Sequence, residues 1–268
     1  MMTIPNRFEQ TKIGIAGVGA IGSAVARALI AGIDGFTLDC VSDPALSADL
    51  GVLNTDFDTL LHRCDLVIEC LPANIVPQLA RKAFSTNTDI IFISSAALLI
   101  YPQILQELKT SKSHAYIPSG ALCGIDGVLA MKEMGINSAK IASTKRPSGF
   151  NDAPYIVENE IDLAAITQNT LIFEGNALTA AKGFPANINV AATLSLAGIG
   201  ADKTRVEIWA DPKAAGNMHE ITVRSNYSTL TSKIENMPDP ANPKSSVLAA
   251  QSIVATLRNM SNALVISP

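Results

Sequence analysis

Histidine is scarce in this chain, with only three among 268 residues: His62, His114 and His219. The side chains best suited to proton transfer near neutral pH are therefore quickly counted. Cysteine is sparse too. Cys40, Cys64, Cys70 and Cys123 show no CxxC spacing, which argues against a zinc knuckle or a dithiol redox motif. The first three lie in or beside apolar, strand-like runs, where buried reduced thiols fit a reducing cytoplasm. Charged residues make up only 16% of the chain, the net charge is −4, and no basic block occurs. That excludes the electrostatic footprint of a nucleic-acid or anionic-membrane partner. No apolar run reaches the ~18 residues of a membrane span. The opening MMTIPNRFEQTK lacks the apolar core of a signal peptide. There is no HxxxH, no clustered Asp/Glu and no GxSxG, so neither a metal site nor a serine hydrolase is expected.

What the chain does have is alternation. Short β-branched runs at 12–18, 36–42, 65–71, 89–94 and 114–119 are separated by helical stretches at 20–32, 56–63, 74–84 and 98–110. Near-continuous apolar strands between helices predict a parallel sheet covered on both faces. After about residue 120 the strands become longer and more polar, at 138–147, 169–175, 203–212, 217–226 and 228–237. In HEITVRS, Ile221 and Val223 alternate with polar residues, so one face of that sheet is dry and the other wetter. A helix is expected at 187–200, a proline-rich connection at 237–246, and an apolar last helix at 245–260. The expected class is α/β: a Rossmann-type parallel sheet over 1–120 and a second α+β domain over 121–240 on a mixed, largely antiparallel sheet. Residues 241–268 are expected to pack back on the first domain.

The first strand ends in GVGAIG, which puts Gly17, Gly19 and Gly22 in GxGxxG spacing between a strand and a helix. In that context Gly17 permits the turn, Gly19 lets a pyrophosphate approach the backbone, and Gly22 lets helix and strand pack closely. The free N–H groups at the helix start, including those of Ala20 and Ile21, then face phosphate. Asp43 ends the second strand, where a carboxylate accepts hydrogen bonds from the adenosine ribose and repels a 2′-phosphate. That favours NAD, with NADP possible. Leu71 and Pro72, at the end of the third strand, complete the expected cofactor contacts of this domain. The plainer alternative is an ordinary strand–helix turn with Asp43 capping a loop.

A nicotinamide enzyme also needs a proton-transfer group and something to hold its substrate. His62 falls on a short helix and His114 at a strand start; His219 falls in the second domain. A strand histidine is often structural, so both readings of His219 stand on the residues alone. The loop AYIPSGALCGIDG (115–127) suits either a flat ring or a hinge. Asn187 and Asn189 either cap a helix or bind the cofactor amide. Lys145 and Arg146, with Ser119, could bind a substrate carboxylate, or the two cations could sit on a solvated turn.

With these pieces in order, the sequence resembles the L-aspartate dehydrogenase family. The resemblance rests on GIAGVGAIGSAV, YIPSGALCGIDG, TKRPS, FEGNALTAAKGFPANINVAATLSLAGIG, RVEIWADP, NMHEITV and ENMPDPANPKSSVLAAQSI, which span most of the chain. It implies a Rossmann domain plus an α/β domain whose sheet helps form a homodimer. It implies that His219 is the acid/base, and that Ala121 and Asn187, with Asn189 second, contact NAD. It implies reversible oxidation of L-aspartate to iminosuccinate, which hydrolyses to oxaloacetate and ammonia. Departures from the family pattern at Cys123, CLPAN (70–74), SSAAL (94–98) and TKRPS (144–148) bear on the substrate. The alternatives are a dehydrogenase or imine reductase for another small dicarboxylate or amino acid, and a non-catalytic NAD sensor on the same scaffold.

Overall fold

The computed structural model describes residues 10–46, 49–239 and 242–266. The described residues within 1–94, 103–118 and 249–268 cluster into one unit, and those within 95–102 and 119–248 into a second. Among the described residues no helix is long and apolar enough to cross a membrane.

The first unit is built by alternation of strand and helix. In chain order the elements are β1 (Thr11–Ala16), α1 (Ala20–Ala31), β2 (Phe36–Ser42), β3 (Leu53–Asn54), α2 (Phe57–Arg63), β4 (Leu66–Glu69), α3 (Val76–Thr86) and β5 (Asp89–Phe92). Then come α4 (Ala96–Ile100), α5 (Gln103–Thr110) and β6 (Ala115–Tyr116). The sheet order is β3-β2-β1-β4-β5-β6 and every pairing is parallel. The order reverses beside β1, which marks the switch point where such sheets bind ligands. All four residues of β4 are buried, as a strand covered on both faces requires. Ile13, Ile15, Val25, Leu29, Ile68 and Ile91 form the core with Ile253 and Leu257 of the C-terminal helix Val247–Ser261.

Two expectations change here. The helix predicted over 98–110 is two helices, because Pro102 has no N–H to give and keeps Tyr101 out of the α region, at φ −121° and ψ 70°. Of the two, α4 belongs to the second unit and α5 to the first. The strand expected at 114–119 pairs over only two residues.

The second unit contains α6 (Ile125–Glu133), β7 (Ile136–Lys145), α7 (Pro154–Glu158), β8 (Thr170–Asn176), α8 (Ala177–Gly183) and α9 (Asn189–Ala197). It continues with β9 (Thr204–Ala210), β10 (Asn217–Ser225) and β11 (Thr229–Asn236). The sheet order is β11-β10-β7-β9-β8; β7 and β9 run parallel and the other pairs antiparallel. Side chains alternate across it. Ala139, Ile141, Val206, Ile208, Ile221 and Val223 are buried with residues of α6, α8 and α9. The opposite face carries the ion pairs Lys140–Glu207 and Arg205–Glu174. The sequence reading missed α6, α7 and α8. The start of α8 is set by Asn176, whose side chain accepts the Thr179 N–H. The expected connection at 237–246 contains a short antiparallel pairing of Pro238–Asp239 with Asn242–Ser246, and residues 240 and 241 lie outside the described residues.

Candidate active site

The three glycines of the first turn answer to different demands. Gly17 sits at φ +87°, and a Cβ there would lie 2.4 Å from the carbonyl oxygen of Cys70. A Cβ on Gly22 would lie 2.0 Å from the carbonyl oxygen of Gly17. Packing within the protein imposes both. Gly19 is different: among the described residues a Cβ there would meet no atom within 4 Å. No described residue requires glycine at that place, whereas a pyrophosphate lying on the turn would. Gly19 is also the N-cap of α1, has no side-chain bond to offer, and is followed by a first turn without an acid. The N–H groups of Ala20 and Ile21 thus have no capping carboxylate competing for them, and the positive end of the helix dipole is open to an anion. These features fit a bound dinucleotide phosphate.

Asp43 follows β2 and is half-buried. Its Oδ2 accepts the Val18 N–H at 2.6 Å and its Oδ1 the Ala45 N–H at 2.8 Å. Asn54 brackets the same residue, donating to the Asp43 carbonyl and accepting its N–H. The carboxylate therefore ties the end of β2 to the glycine turn. A carboxylate has about four acceptor positions, so capacity for ribose hydroxyls is left. Leu71 and Pro72 leave the end of β4. The Leu71 N–H donates to Oε1 of Glu69 at 2.6 Å, and Oε2 accepts the Ser94 N–H at 3.1 Å. Burial pushes the Glu69 carboxyl up to about 7, against the opposing pull of these donors.

In the second unit, β7 and β10 place a polar group on the otherwise dry face. His219 is 4% exposed. It faces Ser143 in the register of the two strands, and Ser143 Oγ lies 2.9 Å from its Nδ1. Two residues along β7 comes Lys145, whose Nζ donates to Oδ1 of Asn187 at 2.7 Å. Burial and the nearby Lys145 cation depress His219 to about 3, so its ring is neutral at working pH. Burial lowers Lys145 to about 8. A cavity of about 610 Å³ opens beside these residues, lined by Lys145, Arg146, Asp152, Phe184, Asn187 and Asn217 among others. Its apolar support comes from four rings: Phe184 packs against Phe150, Tyr155 and Phe173 with centroids 6.0, 5.3 and 5.4 Å away. Gly216 closes the start of β10, where a Cβ would lie 2.0 Å from the carbonyl oxygen of Asn236.

Several sequence candidates are thus brought together and others are not. Lys145, Arg146 and Asn187 line one cavity, and the Nε of Arg146 donates to the Ala214 carbonyl at 2.7 Å. His219 does not line that cavity; Asn217, two residues before it, does. Neither asparagine caps α9, whose N-cap is Ile188. Instead the Asn189 Oδ1 accepts the Ala96 N–H at 3.0 Å, tying α9 to α4. Ala121 is buried and Ser119 half-buried in a turn closed by the Leu122 N–H to the Ser119 carbonyl at 3.2 Å. His62 is exposed on α2, and the His114 ring lies 3.4 Å from an Asp89 carboxylate oxygen. Ligand atoms of Asp39, Cys40 and Cys64 lie within 4.8 Å of one another, but Arg63 already pairs with Asp39 at 2.6 Å and opposes a cation there. The sequence reading missed Ser143, Asp152, Asn217 and Glu69. The only available signal was the charge of Glu69 in the apolar strand LVIE.

Comparison with known proteins places these features in a family context. Residues 126–260 match the family model described as aspartate dehydrogenase, C-terminal. Residues 17–118 match the model described as homoserine dehydrogenase, NAD binding domain. The chain is 40% identical to L-aspartate dehydrogenase 3 of Bordetella bronchiseptica over 262 residues, covering 94% of this chain and 96% of that protein. It is 38% identical to L-aspartate dehydrogenase of Methanosarcina mazei, covering 94% of this chain and 97% of that protein. The crystal structure of aspartate dehydrogenase from Thermotoga maritima superposes with a TM-score of 0.75 at 26% identity, covering 96% of this chain and all of that one.

Proposed function

The chain belongs to the L-aspartate dehydrogenase family, and on that premise we propose that it oxidises L-aspartate with NAD to iminosuccinate, which hydrolyses to oxaloacetate and ammonia. The observation that carries this reading is the grouping of His219, Ser143 and Lys145 on one face of β7 and β10, with Asn187 bonded to Lys145 at the cavity wall. The charged groups at that wall, Lys145, Arg146 and Asp152, complement a molecule with two carboxylates and one ammonium.

Bound NAD supplies the hydride acceptor. Once the substrate ammonium has given up a proton, the freed lone pair of its nitrogen forms the C=N bond as hydride leaves Cα. His219 is neutral, and it accepts the proton released by the substrate nitrogen or by the water that adds to the imine. With Nδ1–H donated to Ser143 Oγ, Nε2 is the nitrogen that takes that proton. Lys145 and Arg146 bind carboxylates. A substrate carboxylate against Lys145 offsets the cation that helps to depress His219, so substrate binding raises the basicity of the ring. Asp43 favours NAD over NADP, and Ala121 and Asn187 contact the coenzyme. The enzyme works in the cytoplasm as a homodimer paired through the second unit.

The test is NADH formation at about pH 8, where Lys145 keeps part of its charge, with L-aspartate beside L-glutamate, L-alanine and L-malate. A clear preference for L-aspartate is expected. Turnover of another substrate in its place overturns the specificity, and tight NAD binding without turnover of any of them makes the chain a sensor. A monomer by sedimentation would overturn the dimer.

A further inference from the structure

Glu69 is fully buried at the carboxyl end of β4, and among the described residues no cation is paired with it. A carboxylate buried without a counter-charge is costly, and an apolar residue would fill this strand position without that cost. Both of its oxygens face donors. One takes the Leu71 N–H at 2.6 Å and the other the Ser94 N–H at 3.1 Å. The same two residues are linked again, because Ser94 Oγ donates to the Leu71 carbonyl at 2.8 Å. The segment between them is fixed on its other side. The Cys70 N–H donates to the Ala16 carbonyl at 2.8 Å. The Cys70 carbonyl and the Leu71 side chain then crowd Gly17, where a Cβ would lie 2.4 and 3.2 Å from them. The chain held by Glu69 is therefore the wall against which the glycine turn is built.

We propose that Glu69 is a positioning residue for the dinucleotide: by tying the Leu71 and Ser94 N–H groups it sets Cys70 and Leu71 against Gly17, and so fixes the turn that receives the pyrophosphate. This rests on the coenzyme reading given above. Glu69 touches neither coenzyme nor substrate in this role. It acts through the backbone, and its effect belongs to coenzyme affinity rather than to the chemical step.

The test is equilibrium binding of NADH and of ADP-ribose to the full chain, compared with Glu69→Gln. The glutamine is nearly isosteric but turns an amide NH₂ toward a backbone N–H, leaving a buried donor unmade. Both ligands are expected to bind about tenfold more weakly. The L-aspartate KM at saturating coenzyme should not change. ADP-ribose carries the pyrophosphate without the nicotinamide, so weakening confined to NADH overturns the proposal. So does a folded Glu69→Gln protein with a lowered Tm and unchanged affinities, which is the signature of a merely structural role. Ser94→Ala removes the hydroxyl that bonds the Leu71 carbonyl and also supports the Glu69 carboxylate, and about threefold weakening is expected. If Glu69→Gln does not fold, unchanged affinity in Ser94→Ala overturns the proposal. Failure of the wild-type chain to bind either ligand overturns the coenzyme reading itself.

Discussion

Ser143 and His219 lie in different strands, 76 positions apart, yet Oγ and Nδ1 are 2.9 Å apart in a buried setting. A ring so buried has few partners, and the serine decides which nitrogen is occupied. His219→Ala is expected to lower kcat by about 10²–10⁴-fold. Ser143→Ala leaves the ring in place but free to turn or change tautomer, and a fall in kcat of about tenfold is expected with little change in the L-aspartate KM. Steady-state kinetics of the two variants check both, and an unchanged kcat in His219→Ala would remove the histidine from the mechanism.

Lys145 and His219 predict the pH profile. The lysine is lowered from 10.5 to about 8, so it is charged below that pH and loses its charge above it. Because kcat/KM reports groups of the free enzyme, kcat/KM for L-aspartate should fall as pH rises through about 8. Lys145→Met should remove that limb and raise KM. His219, depressed to about 3, stays neutral across the working range and should add no limb near 6.5. The linked stability effect has the opposite sense. A lysine with a lowered folded-state value binds fewer protons when folded, so stability rises with pH between about 8 and 10.5. Urea unfolding at several pH values reads that slope.

Gly19 and Gly22 should separate binding from stability. Gly22→Ala drives a Cβ to 2.0 Å from a backbone oxygen, so a large fall in Tm or loss of folding is expected. Gly19→Ala meets no atom of the described residues within 4 Å and sits at φ −68°, which alanine accepts. Its Tm should stay within a few degrees, while NADH binds at least about tenfold more weakly. Equal loss of affinity and Tm in Gly19→Ala would contradict the placement of phosphate at this turn.

Asp43→Asn tests the coenzyme preference without dismantling the turn. The amide oxygen can still accept the Val18 N–H, the exposed Ala45 N–H exchanges its carboxylate acceptor for water, and the charge that repels a 2′-phosphate is gone. The ratio of kcat/KM for NADP to that for NAD should rise about tenfold or more. An unchanged ratio would mean that Asp43 serves the turn alone.

Legibility in the sequence follows the range of the interactions. The glycine turn, the parallel sheet and the alternating second sheet are written in local periodicity and short spacing, and a reader can find them. Pro102 was a local signal as well, and it divides α4 from α5. Asn176 was another, opening a helix of only seven residues directly after a strand. The partners of the candidate site are of another kind. Lys145 meets Asn187 across 42 positions, and Glu69 reaches Ser94 across 25. Such pairs arise from sheet order and loop packing, and no local pattern announces them. Asn189 is a further case: its position at a helix start points to a cap or a ligand, it is not the N-cap, and its Oδ1 ties α9 to α4, which no local pattern shows.

The parallel pairing of β7 with β9 has a kinetic consequence. No hairpin can join two parallel strands. The connection from Arg146 to Lys203 must close before the centre of this sheet exists, and it carries Asn187 along its length. Long-range closure of this kind is slow because its entropy is lost before its contacts form. β10 and β11, joined by a tight turn, can pair early, and His219 then waits on a two-strand ribbon for β7 to arrive with Ser143 and Lys145. On refolding from denaturant, recovery of strand signal should therefore precede recovery of L-aspartate oxidation, and lengthening the 146–203 connection should slow the second phase more than the first.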